Sequence, residues 1–532
     1  MGRRVTLAAV VVFLMAIGLL PLVVMFAKSI VVDGQASLAA YRGLLTSGRE
    51  WVLIRHSLAL SLSTALLATV VGLPLGIVLA KTDLPFRRLF TALFTIPLLV
   101  PPYITAISWF NLLGRQGALS KVLGSAAAQA TSDWLFGLPG CVLVLFSTFL
   151  PVVMLLTMTY LKTVNARLEE AGKLAGGWLR VLKGITIPLI LPGILMAAML
   201  VFLLTLGEFG VPAFLRYDVF AVESFTQFSA FYNFGAATAA AVPLVAITFL
   251  VLVAERLFLR DKSYRLRLAP GGAPSATIAL GASRNWIVAL VGLLCFVLVV
   301  APLLVLFSHS LSLAAYKEAV SRAGDSLLRS IAYAAIGASA LTVLGFFTGY
   351  LIHTRAFRFW RAVDTLTIFL FTLSGTVVGI GLISLWNHPS TNFIYGTPAI
   401  IILGYLARYT ALTSRITVSA LAQIPPSMEE AAQAAGAGWL RRMGLIVAPL
   451  AKRGLVAGWL IGYIFCLRDV GITMLVYPPG HDTFPVRIFT LMANGSTELI
   501  AALCVIMVVA TLLPLGLGIF VFKRTSRLNE DH

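Results

Sequence analysis

The chain is predicted to be an all-α polytopic membrane protein, with about twelve transmembrane helices in two parallel-related six-helix halves. Three observations predict this. The 532 residues are 59% hydrophobic and only 11% charged, apolar runs of about 20 residues recur along the whole chain, and a pattern met in the first half restarts near the middle. A soluble domain carries roughly 25% charged residues. A chain with so few cannot cover its apolar surface in water and takes lipid as its solvent.

Composition excludes several classes. A net charge of +19 would suggest nucleic acid in a soluble protein. Here the basic residues flank apolar spans, and no basic helix or aromatic–basic surface lies outside them, so nucleic acid is not an expected partner. Cys141, Cys295, Cys466 and Cys504 all sit in apolar segments without CxxC spacing and read as small core residues. The six histidines are scattered, so no metal site is expected. Arg3 and Arg4 precede an apolar run to about Val24. That run is long for a signal peptide and no A-x-A site follows it, so it reads as a retained first helix.

The spans fall near 6–27, 57–80, 89–113, 137–161, 185–205 and 239–259, then near 286–308, 327–352, 363–386, 396–418, 445–466 and 498–522. Placing the N-terminus in the cytoplasm collects Lys81, Arg87, Arg88, Lys162, Lys173, Arg180, Arg256, Arg355, Arg358, Arg361, Arg441, Arg442 and Lys523 in cytoplasmic loops, with others beside them. The resulting excess of basic residues inside fits the positive-inside bias and puts both termini in the cytoplasm.

Asp261–Arg284 is the one composition break, rich in Pro, Gly, Ala and Ser, and reads as a cytoplasmic linker. It separates a first half, residues 1–260, from a second, 285–532. His56-Ser57-Leu58 matches Arg329-Ser330-Ile331, Gly72 and Gly76 match Gly345 and Gly349, and Leu206-Gly207-Glu208-Phe209-Gly210 matches Leu467-Arg468-Asp469-Val470-Gly471. Six spans per half start both halves on the same side, as parallel repeats do, which predicts a solute path at the interface of the halves.

The most informative segment occurs twice, in the loops 162–184 and 423–444. Glu169-Glu170-Ala171-Gly172-Lys173-Leu174-Ala175-Gly176-Gly177-Trp178 leads to Pro188. Glu429-Glu430-Ala431-Ala432-Gln433-Ala434-Ala435-Gly436-Ala437-Gly438-Trp439 leads to Pro449. Acidic residues at a helix start complement the macrodipole, and Pro425-Pro426-Ser427 supplies a start signal. Alanines add helix propensity without bulk, the glycines end the helix, and Trp178 and Trp439 offer amphipathic anchors. The pattern predicts a short helix lying on the membrane surface with a small-residue face for a partner. The alternative is an ordinary amphipathic surface helix, which two copies in equivalent loops argue against.

This segment resembles the "EAA" loop of ABC import permeases: Glu-Ala-Ala, a Gly at the sixth following position, then an aliphatic residue and Pro. The second copy keeps the pattern through Glu430, Ala431, Ala432, Gly436, Ile446 and Pro449. The first, through Glu169, Glu170, Ala171, Gly176 and Gly177, is one residue shorter between Gly and Pro and has Gly172 for the second Ala, leaving its register open by one position. The resemblance implies a type I importer-like fold whose loops dock in a groove of a cytoplasmic ATPase dimer. Over nearly the whole chain the likeness is to fused two-half permeases of the ferric-iron type, through Ala80-Lys81-Thr82-Asp83-Leu84-Pro85, Pro101-Pro102-Tyr103 and Tyr477-Pro478-Pro479-Gly480. It implies a periplasmic solute-binding protein as second partner and the bacterial inner membrane as location. Thiamine, phosphonate or polyamine would suit the same scaffold.

Charged residues within spans are functional candidates because their burial is costly. Glu208 and Asp469 end the fifth span of each half and could ring a pathway entrance for a cation. Alternatively Asp469 pairs with Arg468, and Glu208 caps a helix. Arg408, inside the tenth span, either lines the path, bonds backbone carbonyls or snorkels. No GxxxxGK[ST] occurs, so ATP and Mg2+ are expected on the partner and no cofactor or catalytic residue in this chain. A twelve-span secondary transporter is the competing class, and it would need intramembrane acids or histidines that these spans almost lack.

Overall fold

The computed structural model describes residues 2–32, 35–119, 124–259 and 277–530. Residues 260–276, most of the predicted linker, lie outside the described residues. The linker's end at Ile278 pairs with Thr82, and Leu280 N donates to Asp83 Oδ1 at 2.9 Å.

Nearly all described secondary structure is helical. In chain order the principal helices are α1 (Gly2–Ile30), α2 (Gly48–Lys81), α3 (Arg87–Leu99), α4 (Pro102–Leu113), α5 (Leu138–Leu161), α6 (Ala166–Ala175), α7 (Trp178–Leu206), α8 (Phe234–Phe258) and α9 (Gly281–His309). The second half continues with α10 (Leu313–Thr354), α11 (Trp360–Thr372), α12 (Gly375–Trp386), α13 (Ala399–Leu421), α14 (Pro426–Ala434), α15 (Trp439–Leu450), α16 (Lys452–Leu467) and α17 (Thr497–Glu530). The only sheet among the described residues pairs Val31–Val32 with Gln35–Ala36.

Among the described residues, eight helices are long and apolar enough to cross a membrane, or up to 11 spans if each of three bent pairs counts as one. The twelfth expected span is α13, whose Arg408 and Arg415 lower its hydropathy. Three expected spans are not straight rods. The spans near 89–113 and 363–386 break into α3–α4 and α11–α12, bent by 105° and 108°, and that near 445–466 breaks into α15–α16, bent by 80°. The first break sits at Val100-Pro101-Pro102, where Pro101 lacks an N–H and forces its predecessor into extended backbone. The second uses Ser374, whose hydroxyl hydrogen-bonds Thr376 Oγ1 at 2.8 Å.

The helices are arranged as lipid solvation demands. On α2 the inward stripe is small or hydroxylated (Ser57, Ser61, Thr64, Ala68, Gly72, Gly76), while Leu62, Leu66 and Val70 are exposed. Association between helices in lipid relies on close packing rather than hydrophobic drive, so small residues mark the contact. A Cβ at Gly72 would lie 2.9 Å from Val153 Cβ, and one at Gly76 2.9 Å from Met154 O. The repeat-related Gly349 does the same work, its Cβ position lying 2.7 Å from Ser414 O. Thus α2 packs on α5 as α10 packs on α13.

Two compact units can be distinguished. One comprises residues 1–46, 224–241 and 310–532, the other 47–223 and 242–309. The packing units therefore do not follow the order of the chain. The N-terminal α1 packs on α12, where Pro21 and Leu22 abut Gly381. In the other unit, α9 packs on α3 and α4.

Candidate coupling loops

Each predicted loop forms its surface helix, α6 or α14. Asn165 caps α6 by accepting from Arg167 N at 3.0 Å, and Pro426 stands in the first turn of α14. After the intervening turn, Trp178 and Trp439 open the next helices, and a π-turn follows at Leu182–Thr186 and Met443–Val447. From each Trp to each Pro the two copies are in register. The missing residue of the first copy corresponds to Ala437, in the turn between the helices, so neither helix is shifted within itself.

The paired glutamates divide their work. Glu169 is 0% exposed and meets Lys81, 1% exposed, at 2.5 Å. Thr186 Oγ1 donates to its other carboxylate oxygen at 2.9 Å. A buried ion pair persists only when its remaining polar capacity is satisfied, and this one joins α6 to the end of α2 and the start of α7. Glu170 and Ala171 face outward, and Leu174 is 93% exposed. In the second loop Glu429 takes the place of Glu169 but accepts from the Tyr350 hydroxyl at 2.8 Å, and Trp439 Nε1 donates to the same oxygen at 3.3 Å. Arg3 stacks over the Tyr350 ring at 5.6 Å. Glu430 and Ala431 are exposed, with Ala432 half-buried.

The two loops close differently. Gly436 has φ +81°, the left-handed conformation that favours glycine at a helix C-terminus. Gly176, in the matching place, is extended at φ 179°, and Gly177 precedes Trp178 in ordinary extended backbone. Gly172 lies against the following segment: a Cβ there would come 2.6 Å from Ile185 Cδ1. The second copy carries Ala432 in this place with Ile446 matching Ile185, so an alanine at 172 would require only the end of Ile185 to turn aside.

Asp469 is 3% exposed and is held by four groups. Arg408 Nη1 is at 3.2 Å, the Tyr409 hydroxyl at 2.6 Å, and the backbone N–H groups of Ile472 and Thr473 at 3.0 and 3.1 Å. Its cation partner is thus Arg408 of α13, a residue distant in sequence. Glu208 is half-buried and accepts from Gly210 N at 3.0 Å.

A second repeat escaped sequence reading. Asp218-Val219-Phe220-Ala221-Val222-Glu223-Ser224-Phe225-Thr226 matches Asp482-Thr483-Phe484-Pro485-Val486-Arg487-Ile488-Phe489-Thr490 as D-x-F-x-V-x-x-F-T. It latches to the end of α2 or α10 opposite the loops. Ser57 Oγ accepts from Phe220 N at 3.1 Å, and Ser330 Oγ from Phe484 N at 2.6 Å. His56 Nδ1 donates to Asp218 O at 3.0 Å, and Arg329 Nε to Asp482 O at 3.3 Å. Aligning the halves beyond the fifth span would have exposed it.

A multi-pass helical protein with duplicated surface helices tied to its second spans is built as a transport permease, and comparison with known proteins agrees. The family model described as "Binding-protein-dependent transport system inner membrane component" matches residues 72–264. The molybdenum transport system permease protein ModB of Escherichia coli is 30% identical over 178 residues, 31% of this chain and 72% of ModB. A Haemophilus influenzae protein named as a candidate ferric transport system permease, FbpB 1, is 24% identical over 477 residues, 84% of this chain and 73% of its own. The ferric transport system permease protein FbpB of Actinobacillus pleuropneumoniae is 24% identical over 447 residues, 78% of this chain; the match spans 63% of that relative's length. This chain belongs to the binding-protein-dependent transport permease family.

Proposed function

We propose that the chain is the membrane subunit of an ATP-driven, binding-protein-dependent importer whose cargo is ferric iron. The observation that carries the importer reading is the pair of anchored surface helices, each holding one glutamate inward and presenting Glu170 and Ala171, or Glu430 and Ala431, outward. Similarity over most of the chain to two ferric permeases supports the cargo. The polyamine and molybdenum relatives match only about a third of it, 35% and 31%.

A separate cytoplasmic ATPase dimer binds ATP and Mg2+, and the permease itself carries no cofactor and catalyses no reaction. The outward faces of α6 and α14 dock on that dimer, helix in groove. A periplasmic binding protein delivers solute at the opposite end. Nucleotide binds the two access states with different affinity, and the loops transmit that difference. The chain sits in the bacterial inner membrane with both termini in the cytoplasm, an orientation that the excess of basic residues in the loops on that side supports.

The test is reconstitution with the ATPase subunit and binding protein, reading ATP-dependent uptake of radiolabelled ferric ion with spermidine and molybdate as competitors. Uptake should need all components and resist both competitors. Changing Glu430→Lys with Gly436→Pro should abolish ATPase copurification. Full copurification and uptake in that variant would overturn the coupling assignment, and uptake driven by an ion gradient alone would overturn the importer.

A further inference from the structure

The repeat-related ends of α2 and α10 carry different charge at one facing pair of positions. In the first half, Arg49 and Glu223 form an ion pair at 2.7 Å. By the repeats described above, Arg49 corresponds to Arg322 and Glu223 to Arg487. The second half thus sets two guanidinium groups where the first sets a cation and an anion. Between them lies a cavity of about 490 Å3, lined by Arg322, Arg329, Arg487, Asp325, Asp482 and Tyr477 among others.

The charges there are unevenly satisfied. Arg329 is committed to Asp482 at 2.5 Å. Among the described residues the one carboxylate paired with the exposed Arg322 is the half-buried Glu318, one turn back at 2.8 Å, a pairing at the surface that water and salt weaken readily. Arg487 donates Nε to Arg322 O at 3.0 Å, which anchors its base, and no carboxylate pairs with it among the described residues. Ligand pockets run roughly 300–1,000 Å3, so the space exceeds what one side-chain carboxylate fills. A planar guanidinium fork suits carboxylate or phosphate oxygens in pairs.

We propose that this cavity is a binding site for a small oxyanion, a free carboxylate or phosphate compound, whose oxygens occupy the place that the Glu223 carboxylate takes in the first half. Arg487 and Arg322 hold the anion. Asp325, an exposed carboxylate on the lining, opposes it and limits the charge that the site accepts. The site lies near the end of α10 opposite the coupling loop: Arg322 is 28 residues from Tyr350, which at 1.5 Å per residue is about 42 Å.

The experiment uses the purified full chain in lipid nanodiscs, melted in rising citrate, phosphate or chloride at constant ionic strength. Citrate or phosphate should raise the melting temperature saturably, and chloride should not. Arg487→Glu recreates the charge pattern of the first half. It should keep the anion-free melting temperature while weakening apparent anion affinity about tenfold or more, the scale of a charge-assisted hydrogen bond. Arg487→Gln should weaken it likewise, and Asp325→Asn should strengthen it. Absence of a saturable response to either oxyanion, or an undiminished response in both Arg487 variants, would overturn the assignment.

Discussion

Lys81 Nζ lies 2.5 Å from Glu169 Oε2 with both side chains excluded from solvent, so the first surface helix is tied to the second span by a buried ion pair. Breaking such a pair on one side leaves an uncompensated charge, a loss of about 3–5 kcal/mol, whereas replacing both partners with apolar groups is often close to neutral. Lys81→Met should therefore lower the melting temperature of the purified protein sharply, and Lys81→Met with Glu169→Leu should recover most of it. An additive double mutant would rule out the pairing.

The second loop should be less sensitive. Tyr350→Phe removes the hydroxyl that donates to Glu429 and accepts from Trp439. Glu429 is half-buried and can turn to water, so the loss should be about 1–2 kcal/mol, within the range for hydrogen bonds to charged groups. A thermal melt comparing this variant with Lys81→Met should show the smaller shift here.

Glycine substitutions should separate the two loops further. Gly436→Ala forces a Cβ into left-handed backbone, costing about 1–2 kcal/mol, and Gly436→Asn should cost less. Gly176→Ala meets only the flexible end of Arg180, whose Cδ is 2.8 Å from the new Cβ, and should cost less than about 1 kcal/mol. Hydrogen exchange across residues 426–442 and 166–181 would report each effect locally.

Asp469 and Glu208 occupy matching places in sequence but not in chemistry. Asp469→Asn strips the charge from a buried partner of Arg408 and should destabilise by about 3–5 kcal/mol. Glu208→Gln keeps an oxygen to accept from Gly210 N and should shift melting less than Asp469→Asn does. Ion uptake measured in the Glu208→Gln protein then reads its role in the pathway without interference from folding.

At the α10–α13 crossing, Gly345→Val would drive a branched side chain into Thr413 and its backbone. Overpacking of this kind costs about 1–3 kcal/mol or more. The same change at Gly516, which has nothing within 4 Å, should be tolerated; parallel melts provide the comparison.

Membrane class and loop placement were legible because both depend on local pattern: apolar length, basic flanks, and a duplicated Glu-Glu-Ala run. The glycine pairs Gly72/Gly76 and Gly345/Gly349 were visible as a repeat, and close helix crossing explains them. What stayed hidden depends on distant partners. Nothing near Asp469 in sequence points to Arg408, 61 positions away, and Glu169 gives no local sign that Lys81 will enclose it. The bends after Leu99 and Thr372 interrupt runs that remain apolar throughout, so hydropathy passes over them.

Lys28, at the end of α1, donates to Ser384 O at 2.8 Å across 356 residues of chain. Translation at about 5–20 residues per second would separate the two by roughly 18–70 s. During that interval the first span must wait in the bilayer without its packing surface. Its many lipid-facing side chains, Val5, Val12, Leu20 and Val23 among them, suit a helix that has to persist alone before its neighbours arrive. Assembly order is thereby written into the fold: this helix completes its contacts only after a partner made 356 residues later has arrived.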